Sequence, residues 1–216
     1  MLRILIADDH EVIRRGLREL LEQHEGWQVC AEAPNGRRAV ELARQTCPHV
    51  VVLDLSMPEL NGVEATRRIK KALPNTEVLI HTIHEMGEQV RDVLSAGARG
   101  YLLKTDAGRD LVVAVEALAE HKPYFTWKVS KTILDAYLAH RQVNQESAAA
   151  INYLTPRERE ITQLVAEGRS NKAVSALLNI STKTVEAHRA AIMKKLDLRS
   201  IVELVRYAVR NSMIQA

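Results

Sequence analysis

Residues 50–54 read Val50-Val51-Val52-Leu53-Asp54, four apolar residues closed by a carboxylate. Three of the four are β-branched, and so short and continuous a run predicts a strand buried on both faces. Working outward, the same kind of run recurs at Arg3–Ala7, Gln28–Ala33, Glu77–Thr82 and Gly100–Lys104. Between the runs the apolar spacing changes to that of a helix. Residues 11–24 carry Val12, Ile13, Gly16, Leu17, Leu20 and Leu21 at helical spacing, and Asn35 caps a helix bearing Ala39, Val40, Leu42 and Ala43. Gly62–Leu73 is helical up to Pro74, Gln89–Ala96 up to Gly97, and Leu111–Ala119 closes the series. Five strands each followed by a helix predict an α/β domain of the flavodoxin-like, doubly wound type, with a five-stranded parallel sheet.

In such a sheet functional groups gather at the carboxyl ends of the strands. The first strand ends in Asp8 and Asp9, the third in Asp54, the fourth in Thr82 and the fifth in Lys104. Three carboxylates brought together repel one another and call for a cation. An all-oxygen donor set with open water positions suits Mg²⁺. A phosphoryl group could then approach an aspartate, with Lys104 and the Thr82 hydroxyl holding its oxygens. The chemistry expected is an acyl phosphate on a carboxylate nucleophile. A lone Asp-Asp pair is ordinarily a helix cap, which His10 and Glu11 would continue. The coincidence of four strand ends is what favours a site.

Charge divides the chain. Residues 1–120 hold 15 Lys/Arg and 19 Asp/Glu, a net of −4, whereas residues 151–216 hold 11 and 6, a net of +5. An acidic front and a basic back imply different partners, the basic end suiting a polyanion. No apolar stretch approaches the ~20 residues that span a bilayer. Met1–Asp9 lacks the long apolar run and cleavage site of a signal peptide, so the expected location is cytoplasmic. Cys30 and Cys47 have no metal-ligand spacing and are expected to be buried thiols. Phe125, Trp27 and Trp127 are expected to be packing residues. The division expected is a first domain over 1–122, a linker with a possible helix (Trp127–His140) over 123–150, and a second domain over 151–216.

The second domain reads as four helices and no strand. Thr155 as cap, Pro156 in the first turn and Glu158 three residues after the cap start one helix. Asn171–Leu178 is the next, Asn179-Ile180 a tight turn, and Ser181 the cap of a third helix through Leu196. A fourth runs from about Ile201 to Val209. Two helices joined by so short a turn form a helix-turn-helix, whose second helix reads the major groove. At ~100° per residue Val185, Ile192 and Leu196 face inward. Lys183, Ala187, Ala190 and Lys194 fall on the opposite side, with Thr182, Thr184 and Glu186 near its edges. Lys183 and Lys194 suit phosphates, and Glu186 suits a cytosine amino group.

Both halves resemble known families. Asp8-Asp9, Asp54-Leu55-Ser56-Met57-Pro58 with Gly62, Thr82, and Gly100-Tyr101-Leu102-Leu103-Lys104 resemble the response-regulator receiver signature over the first ~120 residues. The resemblance implies that Asp54 accepts a phosphoryl group from a sensor histidine kinase. It implies Mg²⁺ on Asp9, Asp54 and the Ser56 carbonyl, with Asp8 acting directly or through water. Thr82 and Tyr101 match a switch pair, the ring turning inward on phosphorylation, and Lys104 matches the lysine that pairs with the phosphate. Ser56 and His84 match positions that tune acyl-phosphate lifetime. Thr105 stands where many receivers have proline, so no cis X-Pro bond is expected there.

Leu154-Thr155-Pro156-Arg157-Glu158, Asn171-Lys172-Ala173, Ser181 to Val185 and His188 to Leu196 resemble the LuxR-type helix-turn-helix. Together the two resemblances imply a NarL/FixJ-type transcription regulator, not an enzyme. They imply a motif over 170–189, double-stranded DNA as partner, and homodimerisation through the last helix once phosphorylated. The helix-turn-helix would be occluded by the receiver until then. A phosphate-independent regulator remains open. A dehalogenase-type phosphatase would show Asp-x-Asp where Asp54 is followed by Leu55-Ser56. A flavodoxin would need a Ser/Thr/Gly-rich phosphate loop where this chain has Asp8-Asp9-His10-Glu11.

Overall fold

The computed structural model describes residues 1–83, 90–126, 129–131, 154–211 and 213–214. The strands are β1 (Leu2–Ala7), β2 (Trp27–Ala33), β3 (Val50–Leu53), β4 (Glu77–Thr82), β5 (Gly100–Leu103) and β6 (Tyr124–Phe125). They form one parallel sheet in the order β2-β1-β3-β4-β5-β6. The helices between them are α1 (Glu11–Glu22), α2 (Gly36–Thr46), α3 (Gly62–Ala72), α4 (Val90–Ser95) and α5 (Ala107–Ala119).

Strand alternation explains why both faces are covered. Ile4, Ile6, Val50 and Val52 pack with Leu17 and Leu21 of α1 and with Leu111, Ala114, Val115 and Leu118 of α5. Leu5, Ala7, Val51 and Leu53 point the other way, onto Ala39, Val40 and Ala43 of α2, Ala65 and Ile69 of α3, and Val93 of α4. Each strand therefore supplies two cores, which is why its sequence is apolar throughout.

The sheet has six strands, where five are expected. Tyr124 and Phe125 pair with Gly100 and Tyr101 of β5, and Tyr124 N–H donates to the Arg99 carbonyl at 2.9 Å. Two residues are too few to display a period of two, so the pattern carries no signal of them. Helix α5 starts at Ala107, four residues before the expected Leu111. The expected connecting helix over Trp127–His140 and the linker Arg141–Ala150 lie outside the described residues, apart from 129–131, where Val129 is buried against the second core. Cys30 is half-buried, but Cys47 is exposed, contrary to expectation. It ends α2 in a left-handed conformation (φ 43°), at the surface where the chain turns away from the helix.

The second domain has the four expected helices: α6 (Pro156–Ala166), α7 (Asn171–Leu178), α8 (Thr182–Lys195) and α9 (Ile201–Arg210). Thr155 and Glu158 form a reciprocal capping box ahead of α6. Asn179 takes the left-handed turn between α7 and α8 (φ 52°), and Ser181 caps α8. Ile161, Leu164, Val174, Val185, Ile192, Leu204 and Ala208 make the core. No helix among the described residues is long and apolar enough to cross a membrane.

His81 of β4 is an odd occupant of the sheet. Its ring is buried, and neither nitrogen has a hydrogen-bond partner. Burial, then the nearby Lys104 charge, lower its pKa from 6.5 to about 4, Asp8 opposing. A depressed histidine holds its stability contribution above the unfolded pKa and loses it as pH falls through the folded one. His81→Leu is therefore expected to resist acid better than wild type, by about 2 kcal/mol at pH 5 and little at pH 7. Urea denaturation at the two pH values checks this, and equal losses of stability in both proteins would refute it.

Candidate functional site

The strand order reverses at β1, whose neighbours are β2 and β3. Connections leave in opposite directions there and open a crevice at the strand ends. Asp8 and Asp9 follow β1, and Asp54 follows β3. Asp54 is 2% exposed and Asp8 wholly buried. The Lys104 ammonium, following β5, lies 2.7 Å from Asp8 Oδ2 and 3.2 Å from Asp54 Oδ2. Leu55 N–H donates to Asp54 Oδ1 at 2.8 Å, and His10 N–H donates to Asp8 Oδ1 at 2.9 Å. Gly62 lets α3 start this close: a Cβ there would sit 2.3 Å from the Asp54 carbonyl oxygen.

Burial raises the Asp54 carboxyl pKa from 3.8 to about 6 against the pull of Lys104, with Asp8 and Asp9 adding repulsion. Burial alone would lower Lys104, but Asp8 and Asp54 outweigh it and hold the ammonium above its ordinary range. Thr82 is buried at the end of β4. Tyr101 is 1% exposed, its phenol raised first by burial and then by the Asp54 charge. The ring expected to turn inward is thus already inward in this structure. His84 lies outside the described residues.

The donor set fits a hard divalent cation. Asp8 Oδ2 and Asp54 Oδ2 are buried without a well-formed hydrogen bond, although the ammonium stands near both. Three carboxylates face one lysine, so positive charge is in deficit. Asp9 lies at the exposed edge, lining one cleft with Ser56 and Met57. His10, expected only to continue a cap, puts Nδ1 2.8 Å from Asp9 Oδ1 and 3.3 Å from Asp8 Oδ1.

In the second domain Val185 and Ile192 are buried, and Leu196 is half-buried. Thr182, Lys183, Thr184, Glu186, Ala187, Ala190 and Lys194 are all exposed on α8. Among the described residues the receiver does not cover this face, contrary to the occlusion expected. What docks instead is α6, on the opposite side of the helix-turn-helix core. Its Glu160, 1% exposed, pairs with Arg37 of α2 at 2.5 Å, Arg68 of α3 at 2.8 Å and Arg157 at 3.1 Å. Arg159 reaches Asp92 of α4 at 3.4 Å. Glu160, Gln163 and Glu167 carry no sequence signal of this contact, because nothing in helical periodicity says which domain a polar face will meet.

A phosphoacceptor-like acidic crevice joined to an exposed helix-turn-helix defines a two-component response regulator that binds DNA. Residues 4–116 match the response regulator receiver domain family, and residues 152–208 match the bacterial regulatory proteins of the luxR family. The chain belongs to these families and is a transcription regulator of the NarL/FixJ type. It is 36% identical over 217 residues to the oxygen regulatory protein NreC of Staphylococcus epidermidis, covering 99% of this chain and 100% of that one. It is also 36% identical over 214 residues to the transcriptional regulatory protein LiaR of Bacillus subtilis, with 99% and 100% coverage. A solved structure of the Salmonella typhimurium RcsB response regulator superposes with TM-score 0.67 at 28% identity, covering 97% of this chain and 98% of that one.

Asp54 is costly as an anion in the metal-free fold. A raised carboxyl pKa destabilises the folded state as pH rises from the unfolded value through the folded one. With chelator present, Asp54→Asn is expected to stabilise by up to about 3 kcal/mol at pH 7, several degrees in Tm, and far less at pH 4. Thermal melts at the two pH values check this, and a variant less stable than wild type at pH 7 would contradict it.

Proposed function

We propose that Asp54 accepts a phosphoryl group from a sensor histidine kinase and that this event controls dimerisation and DNA binding. One observation carries the reading: a buried carboxylate at the strand switch point, its Oδ2 3.2 Å from a lysine ammonium and lacking a well-formed hydrogen bond. The Asp54 oxygen attacks phosphorus, the phosphorus–nitrogen bond of the donor imidazole breaks, and an acyl phosphate results. Lys104 neutralises the phosphoryl oxygens, and the Thr82 hydroxyl, buried at the neighbouring strand end, is placed to follow them. Asp9, Asp54 and the Ser56 carbonyl would hold Mg²⁺, with Asp8 direct or through water. The metal supplies charge neutralisation between carboxylate and phosphate. The chain turns over no substrate; its chemistry is limited to its own phosphorylation and dephosphorylation.

The output is double-stranded DNA read by α8. Lys183 and Lys194 meet phosphates, and Thr182, Thr184, Glu186, Ala187 and Ala190 face the groove. The exposed Ile201 and Val202 of α9 suit a homodimer on DNA. Such a regulator works in the cytoplasm, without a membrane partner. Phosphorylation biases a pre-existing equilibrium of the receiver, with Thr82 and Tyr101 as the pair that differ between its states.

Incubation with acetyl phosphate and Mg²⁺ is expected to add ~80 Da, one phosphoryl group, to wild type and nothing to Asp54→Asn by intact mass. No gain in a folded wild type would favour a phosphate-independent regulator. Lys183→Ala is expected to weaken binding to unrelated duplexes and to reduce the salt slope by about one. Unchanged affinity for such DNA in a fluorescence-anisotropy titration would mean that α8 is faced wrongly.

A further inference from the structure

Helix α8 carries a single acid, Glu186, among Lys183, His188, Arg189, Lys194 and Lys195. The residue before it, Val185, is wholly buried in the core of the second domain, so the backbone beneath Glu186 is anchored while its side chain is exposed. A carboxylate brought against a duplex is repelled by the phosphates and loses its water, so it needs donors there. One donor is present in the structure, and it comes from another helix. Asn171 is the first residue of α7, directly after the capping Ser170, whose hydroxyl accepts from Ala173 N–H at 3.2 Å. Its side chain bridges two residues of α8 that lie one turn apart. Asn171 Oδ1 accepts from Arg189 Nη1 at 2.6 Å, and Asn171 Nδ2 donates to Glu186 Oε1 at 3.5 Å.

The chemistry of the three groups fixes the direction of these bonds. A guanidinium has donors and no acceptor, so the Asn171 atom that faces Arg189 is the oxygen. The amide nitrogen is then turned to Glu186, and a carboxylate accepts from it. Arg189 thus decides which end of the amide Glu186 meets. Of the two carboxylate oxygens, Oε1 is held by Asn171, and Oε2 has no partner among the described residues. Ala187 and Ala190, small and exposed, leave room beside it for a base pair.

We infer that Asn171 is a positioning residue for base readout: oriented by Arg189, it holds one oxygen of Glu186 and turns the other to the amino group of a cytosine in the major groove. Cytosine offers a donor alone there. Guanine and thymine offer acceptors, and the amino group of adenine lies beside the N7 acceptor, so a held carboxylate disfavours all three. This rests on α8 being the element that reads DNA.

The full chain, treated with acetyl phosphate and Mg²⁺, is used to select from a duplex library with a randomised core, and the retained bases are counted position by position. Wild type is expected to prefer cytosine roughly tenfold at one position of the half-site. Asn171→Ala is expected to erase that preference, while the other positions and the salt slope of binding stay as they were. A tilt of α8 would disturb all of these together. In Glu186→Gln the new amide gives its oxygen to Asn171 Nδ2 and turns its nitrogen to the groove, so the preference is expected to move to guanine or thymine. Asn171→Asp sets two carboxylates face to face and is expected to lose the preference. Combined with Glu186→Gln, the new aspartate accepts from the new amide nitrogen, an oxygen again faces the groove, and cytosine is expected to return. A cytosine preference that survives Asn171→Ala, stays unmoved in Glu186→Gln or fails to return in the double variant overturns the positioning role. A wild type that retains no duplex overturns the DNA-reading role of α8, and the inference falls with it.

Discussion

An ammonium shared by two buried carboxylates is the interaction on which this molecule turns. Asp8 and Asp54 end adjacent parallel strands, so the fold forces like charges together where water is largely excluded. Lys104 arrives two strands further along the sheet and stands within 3.2 Å of both. It does not complete their hydrogen bonding, and burial still raises the Asp54 carboxyl pKa to about 6. The site is thereby left short of positive charge, which is the condition for taking up a cation and then a phosphoryl group. Other features serve this geometry. Gly62 permits α3 to begin against the Asp54 carbonyl, and the doubly packed strands keep the crevice edges rigid.

The two domains meet through polar chemistry that is specific rather than strongly stabilising. Glu160 is buried among guanidinium groups from α2, α3 and its own helix. Desolvating such a cluster costs most of what the ion pairs return, but a slipped arrangement would strand a buried charge. The interface thus favours one docking geometry. Its position matters as much as its strength. It joins the DNA-binding domain to the loop that follows Asp54 and leaves the face of α8 that carries Lys183 and Lys194 to solvent.

The sequence made both folds legible because short continuous apolar runs give way cleanly to period-3.6 patterns and caps such as Asn35, Thr155 and Ser181 mark helix starts. The strand-end rule then brings Asp8, Asp9, Asp54, Thr82 and Lys104 to one edge of the sheet. It failed where the signal is too short or belongs to no period. Strand β6 has two residues, and Cys47 ends a helix at the surface.

Local chemistry and periodicity by themselves determined the class of protein: which residues are strands, which end in acids, and which helix carries a basic, small-residue outer face. Those are properties of short segments, in which side-chain spacing dictates what can be buried. The tertiary structure alone decided how the halves communicate. Gln163, Glu167 and Glu160 look like ordinary solvated positions on an amphipathic helix. They meet Met57, Glu59, Asn61, Arg37 and Arg68 only because two separately folded cores dock. Contacts between residues ~100 positions apart leave no periodic trace in a single chain, since each partner obeys only the pattern of its own helix or loop.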